Sequence, residues 1–238
     1  MRFEYTEVFN FKGALRGMRN PKESWDKSDT FVCGNGGTDC PFNNCSHVDG
    51  VEIGKNDMIL AQSLIRAGSE HRKFMRQIFV SVDITAPLYW WKEFDTYKVG
   101  TVSNSCSTMH KLADTPITLD CFELDDSEKV EIDCLSQYIE NNADLWEYIV
   151  TVCEYLRQKY NETKDKRYWK ELIRMLPESW LQKRTVTMNY ENLLVMCSKG
   201  QRRNHKLTEW SKSFIDWARS LPYAKELIFI DEVEDKNV

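Results

Sequence analysis

Apolar and polar positions alternate along this chain with two periods, and each period predicts its own elements. Residues 2–9 alternate loosely and predict a strand. Residues 12–18 predict a short helix, which Asn20-Pro21 ends because the residue before a proline is pushed out of helical geometry. Residues 57–67 predict a helix, with Met58, Ile59, Ala61, Leu64 and Ile65 partly aligned at helical spacing and Gly68 closing it. Residues 77–84 are rich in β-branched side chains and predict a strand, and residues 88–94 predict a helix entered through Pro87.

The second half reads as helical. Over residues 127–160, Val130, Leu135, Tyr138, Ile139, Leu145, Ile149, Val152 and Leu156 recur at roughly helical intervals, with Asn141-Asn142 as a candidate break. Residues 164–176 predict a further helix stopped by Pro177, residues 178–197 another interrupted at Gly200, and residues 207–221 a last one. That last helix carries Trp210, Phe214, Trp217 and Ala218 on one face. Residues 28–54 read as a loop, from Gly34, Gly36, Gly37, Gly50 and Gly54 and several Asn and Asp. No internal repeat, linker or low-complexity tract is present, and 238 residues suit a single domain, 1–238, with a sizeable core.

Composition narrows the function classes. A net charge of −5 argues against a nucleic-acid polymer as partner. No run is long and apolar enough to span a bilayer, and the first residues lack the apolar core of a signal peptide, so the expectation is a cytoplasmic protein. Eight cysteines in a chain of this size without an export signal read as reduced thiols. Cys33, Cys40, Cys45 and His47 lie close together and offer three thiolates and an imidazole to zinc, but no C-x-x-C is present, and an irregular insertion with free thiols is the simpler reading. No Walker loop, G-x-G-x-x-G or Ser-His-Asp order occurs.

Two stretches carry candidate chemistry. Ser103-Asn104-Ser105-Cys106-Ser107 packs hydroxyls, an amide and a thiol into five positions, either as a nucleotide or flavin contact or as a polar turn capping the next element. Residues 199–206 form the densest basic run. There Arg202 and Arg203 follow Gly200 and can grip a phosphate, with Arg174 expected close by; a solvated loop is the alternative.

The run from Glu70 to Leu112 resembles the flavin-dependent thymidylate synthases, whose pattern is R-H-R-x-x-S-x-N-E-x-S-x-R-Y after a Gly-His turn and an apolar strand. Without a gap, His71 falls on the His of that turn, Thr96-Tyr97-Lys98 on the R-H-R triplet, and Thr101 on the first Ser. Ser103 falls on Asn, Asn104 on Glu, Cys106 on the second Ser, Thr108 on Arg and Met109 on Tyr, while Glu93 falls on a Gln that precedes the triplet. A second stretch, residues 173–210, resembles the family's C-terminal half: Arg174-Met175-Leu176-Pro177 is similar to its Arg-rich LP segment and Thr187-Met188-Asn189 to its N-L-R helix start, with Glu191 in place of Arg. The two stretches cover about a third of the chain.

The resemblance implies an α/β (α+β) fold with a short twisted sheet and a helical majority, in a homotetramer whose sites form between subunits. It implies a flavoprotein methyltransferase of nucleotide biosynthesis that methylates dUMP reductively, with FAD as cofactor and NADPH and methylenetetrahydrofolate as co-substrates. Carried over by position, the flavin-contacting set is His71, Thr96, Tyr97, Lys98, Ser103, Asn104 and Asn189. The nucleotide-contacting set is Glu93, Cys106, Ser107, Thr108 and Arg174, to which the basic run adds Arg202 and Arg203. The family's arginines suit phosphate through a planar, bidentate guanidinium. Thr96 and Thr108 carry no charge in their place, and Lys98 supplies a point charge. A second reading therefore stands beside the enzyme: a chain that keeps the fold as a nucleotide-binding or protein-interaction module. No catalytic residue is assigned by the sequence.

Overall fold

The alternation over residues 2–9 forms strand β1 (Arg2–Phe9), and the apolar run before Pro87 forms β4 (Phe79–Pro87). The computed structural model describes residues 1–32, 50–130, 132, 139 and 141–234. Cys33, Cys40, Cys45 and His47 lie outside the described residues. Among the described residues, β1 and β4 join β5 (Val102–Ser105) and β6 (Leu181–Asn189) in an antiparallel sheet of order β1-β4-β6-β5. A two-stranded ribbon pairs β2 (Phe31–Val32) with β3 (Val51–Glu52) antiparallel, Phe31 opposite Glu52. With helices in the majority, the architecture is the α/β class expected.

The helix expected over residues 178–197 is a strand followed by a helix. Thr185, Val186 and Thr187 are β-branched, and Val186 and Met188 are buried two residues apart, which is a strand's period. The helix begins only at Tyr190, because Asn189 adopts extended geometry (φ −128°) and its side chain accepts from the Asn192 amide. Within residues 127–160 the candidate break at Asn141-Asn142 is a helix start: the helix runs from Asn142, and the Asn141 side chain accepts from the Asp144 amide, while residues 131, 133–138 and 140 lie outside the described residues.

The chain forms two compact units, 84–94 with 104–184 (and residues 1–2), and 3–83 with 95–103 and 185 onward. β4 enters the first unit at Ile84, and β6 leaves it after Arg184.

The first unit contains α3 (Leu88–Phe94), α4 (Thr108–Lys111), α5 (Asn142–Thr163) and α6 (Lys166–Met175). Its core gathers Leu112, Ile117, Phe122, Cys153, Leu156 and Leu172, with Trp146 and Trp180 packed against them. α5 turns into α6 at Lys164, which is left-handed (φ 55°), and the Asp165 side chain caps α6 by accepting from the Arg167 amide. Glu154 ties α5 to the segment before Phe122: it accepts from Arg157 (2.6 and 2.7 Å), from the Ile117 amide (2.8 Å) and from Gln158 (2.9 Å). The Arg157 hydrogen bonds, aided by the Ile117 amide and Gln158, outweigh partial burial and hold its carboxyl at about 2 instead of 4.5.

Because the folded value is depressed, Glu154 contributes stability above pH 4.5 that is lost as pH falls from there toward 2. Glu154→Gln is expected to lower unfolding free energy at pH 7 by about 2 kcal/mol in urea titrations, with the gap to wild type closing as pH approaches 2.

The second unit contains α1 (Phe11–Arg19), α2 (Lys55–Arg66), α7 (Tyr190–Met196), α8 (Lys199–Asn204), α9 (Ile215–Arg219), α10 (Ala224–Leu227) and α11 (Ile230–Glu234). A π-helical turn, Glu209–Phe214, leads into α9 and buries Trp210 and Phe214. Phe11 of α1 meets Tyr190 of α7 edge-on (5.5 Å, 82°), and the Tyr190 hydroxyl donates to the Pro222 carbonyl. Beneath α1 lies a buried ion pair. Arg19 Nε donates to Asp57 (2.5 Å), and its other nitrogens donate to the carbonyls of Ser24 and Lys27. Ser28 and Thr30 hydroxyls donate to the second Asp57 oxygen.

Candidate functional site

In the second unit the segment after α3 runs beside the start of α7 and encloses a cavity of about 500 Å³. Thr96, Tyr97, Lys98 and Gly100 line it from the segment, and Asn189, Asn192 and Val195 from the strand end and α7; Arg76 and Glu191 complete it.

Each wall is fixed by local chemistry. Asn189 and Asn192 form a reciprocal capping box, each side chain accepting from the other's backbone amide. Asn192 also donates to the Val99 carbonyl (2.6 Å), tying α7 to the segment. Thr101 donates to the Tyr97 carbonyl (2.6 Å) and closes the segment into a turn. Tyr97 is held by its ring, stacked on Trp210 (5.4 Å, 26°), and by its hydroxyl, which accepts from Gln201 (2.8 Å). His205 stacks on Trp210 as well (5.1 Å, 12°).

Gly100 is required twice. Its φ of +82° lies in the left-handed region, and a Cβ there would sit 2.9 Å from Asn189 Nδ2 and 3.0 Å from Asn192 Oδ1. Gly100→Ala is expected to lower unfolding free energy by about 1–2 kcal/mol in urea melts, because both the φ and the capping box must adjust.

The cavity is cationic. Arg72 Nε reaches both Glu191 oxygens (3.0 and 2.8 Å), so that carboxylate is already paired. Arg76 donates one hydrogen bond to the Ser69 carbonyl (3.3 Å) and is otherwise exposed. Lys98 is exposed and carries no anionic partner among the described residues. A hydroxyl, an amide, an aromatic ring and two cations thus converge on one concave surface, of the size that small-molecule sites occupy.

The structure therefore brings Thr96, Tyr97, Lys98 and Asn189 of the sequence-derived set to one place. His71, also in this unit, is exposed on a turn whose amide donates to the Gly68 carbonyl (3.0 Å), and it does not line the cavity. Ser103 and Asn104 are exposed on β5. Glu93 lies on α3, and Cys106 is an exposed free thiol whose backbone is held by Lys183 and Gln182. Ser107 caps α4 by accepting from the His110 amide, and Thr108 is the first residue of that helix. Arg174 is exposed on α6 and paired with Glu171 (2.8 Å). Arg202 is drawn into the fold, paired with Asp231 (2.6 Å) and Glu232 (3.0 Å) and donating to the Cys197 carbonyl. Arg203 is exposed on α8, which is a short helix, not a loop.

Sequence reasoning missed Arg76, Gly100, Asn192 and Val195. The Asn-x-x-Asn spacing at 189–192 was the available signal for the cap, and a glycine between Val99 and Thr101 for the turn.

No protein-family model and no curated protein matches the sequence. Solved structures do match the fold. The flavin-dependent thymidylate synthase ThyX from Helicobacter pylori, complexed with FAD and dUMP, superposes with a TM-score of 0.63 at 16% identity, covering 97% of this chain and 99% of that one. A second structure of Helicobacter pylori ThyX with FAD and dUMP gives 0.61 at 17% identity, covering 97% and 98%. Both likenesses concern the fold.

Proposed function

We propose that this chain binds a flavin nucleotide in the cavity between residues 96–100 and the start of α7 and uses it in pyrimidine-nucleotide modification, reductive methylation of dUMP by default. The observation that carries the reading is spatial. The two stretches that resemble flavin-dependent thymidylate synthases in sequence, around Thr96–Lys98 and around Asn189, line one cavity, in a fold shared with proteins that hold FAD and dUMP.

The residues present fit such a group. Lys98 and Arg76 offer charge to a pyrophosphate, the Thr96 hydroxyl and the Asn189 amide offer donors, and the Tyr97 ring, pinned on Trp210, offers an apolar face. Arg202 is committed to Asp231 and Glu232, so Lys98 and Arg76 take the phosphate-binding role in this proposal. Bound reduced flavin supplies a hydride, which no side chain can. The protein's part is to orient the ligands and to balance their charge. His71, Ser103, Asn104, Glu93, Cys106, Ser107, Thr108 and Arg174 remain proposed contacts, and a homotetramer with methylenetetrahydrofolate and NADPH as co-substrates belongs to the same proposal. A cytoplasmic site of action belongs to the same proposal; among the described residues no helix is long and apolar enough to cross a membrane.

The test is product formation. Protein incubated with dUMP, FAD, NADPH and methylenetetrahydrofolate is expected to yield dTMP by mass spectrometry. The second reading, a binding module without chemistry, is favoured by one observation: Glu191, the carboxylate lining the cavity, is already engaged by Arg72. Tight FAD or dUMP binding with no turnover would select it.

A further inference from the structure

We infer a second, separate ligand site on the outer face of α1 that takes a nucleoside monophosphate. The second unit carries a smaller cleft, of about 170 Å³, whose wall includes Lys12, Arg16 and Trp25 over Leu15, with Ser28 and Thr30 at its edge. None of these residues belongs to the cavity described above.

Two features of the cleft are unexplained by folding. Lys12 and Arg16 stand one turn apart on α1, where like charges repel, and both are exposed with no acidic partner among the described residues. Trp25 keeps 51% of its surface exposed. Yet the ring is held in place: its Nε1 donates to Asn20 Oδ1 (2.9 Å), and Arg19 fixes the backbone on both sides through the carbonyls of Ser24 (3.1 Å) and Lys27 (3.0 Å). A half-exposed, pre-positioned indole beside two cations that have no acidic partner among the described residues is arranged for a ligand with a flat ring and an anionic group.

Charge and hydrogen-bond direction narrow the ligand further. Arg19 also lines the cleft, but Asp57 neutralises it, so the net charge offered comes from Lys12 and Arg16. Two cations match a dianionic phosphomonoester better than a single carboxylate, and a guanidinium suits phosphate geometry. The Ser28 hydroxyl proton goes to Asp57 (2.6 Å), as does that of Thr30 (2.5 Å). The Thr30 oxygen in turn accepts from the Gly54 amide (3.3 Å), so the Ser28 oxygen is the acceptor offered to a sugar hydroxyl. The cleft is smaller than the ~300 Å³ at which drug-sized pockets begin. It holds a phosphate and sugar, with the base on the open face of Trp25.

Calorimetric titration with AMP, adenosine and inorganic phosphate tests the assignment on the full chain. AMP is expected to bind more tightly than either fragment. Lys12→Ala/Arg16→Ala is expected to weaken AMP by at least about tenfold without changing the melting temperature. Trp25→Ala should weaken it similarly, and Trp25→Phe, which keeps a ring, should retain most of the affinity. Absence of AMP binding up to ~10 mM, or AMP affinity unchanged in the Lys12/Arg16 double variant, would overturn the site. Binding of a Glu-rich hexapeptide that needs Lys12 and Arg16 while AMP fails to bind would overturn the nucleotide assignment.

Discussion

Replacing Asp57 with Ala is expected to destabilise the fold by about 3–5 kcal/mol, read as a lower urea midpoint at unchanged slope. Asp57 is completely buried, and its carboxylate collects Arg19, the Ser28 and Thr30 hydroxyls and the Thr30 amide. Burial alone would raise its pKa. The hydrogen bonds from Ser28, Thr30 and Arg19, with the Arg19 charge, outweigh that and hold it below the ordinary carboxylate range. Because the folded pKa is depressed, the contribution is complete above the unfolded value of 3.8 and is lost as pH falls below it. Removing the carboxylate leaves Arg19 buried without a counter-charge, which is the costly case. Removing both, as Arg19→Met with Asp57→Leu, should cost much less than Asp57→Ala alone. A double variant as unstable as the single one would show that the hydroxyl partners, and not the uncompensated charge, dominate.

The second large effect is expected at Trp210. It is fully buried, donates from its indole nitrogen to the Met196 carbonyl (3.1 Å), and carries Tyr97 on one side, with His205 and Phe214 also packed on it. Trp210→Ala should lower unfolding free energy by about 3–5 kcal/mol through the cavity it leaves. It also removes the platform beneath Tyr97, so ligand affinity at the 96–100 segment should fall in the same variant even where it remains folded. Trp210→Phe, which keeps a ring for Tyr97 to stack on, should recover most of both. Loss of stability without loss of affinity would separate the platform from the cavity.

The legibility of this molecule in its sequence varied with the length of the determinant. β1 and α3 are readable because their patterns are local, the first ending at Asn10 and the second beginning at the Pro87 junction. β6 lies in the stretch 178–197, whose local pattern predicts a helix, and only sheet pairing, which is non-local, decides for the strand. At the site, Thr96, Tyr97, Lys98 and Asn189 came from a resemblance, since nothing in their local pattern marks a cavity. Arg202 shows the converse. Its basic neighbourhood looked like a phosphate site, but its partners Asp231 and Glu232 lie about a tenth of the chain away, in a tail that reads as a solvated acidic end. Charge clusters announce themselves in sequence, and their counter-charges do not.

The cavity's role rests most directly on whether the chain binds flavin there. Titration of purified protein with FAD, followed by flavin absorbance and anisotropy, is expected to show saturable binding. Lys98→Ala should weaken it by about tenfold, with an unchanged melting temperature. A wild-type chain that shows no saturable FAD binding up to ~1 mM, or Lys98→Ala protein that binds FAD as well as wild type does, would contradict the account.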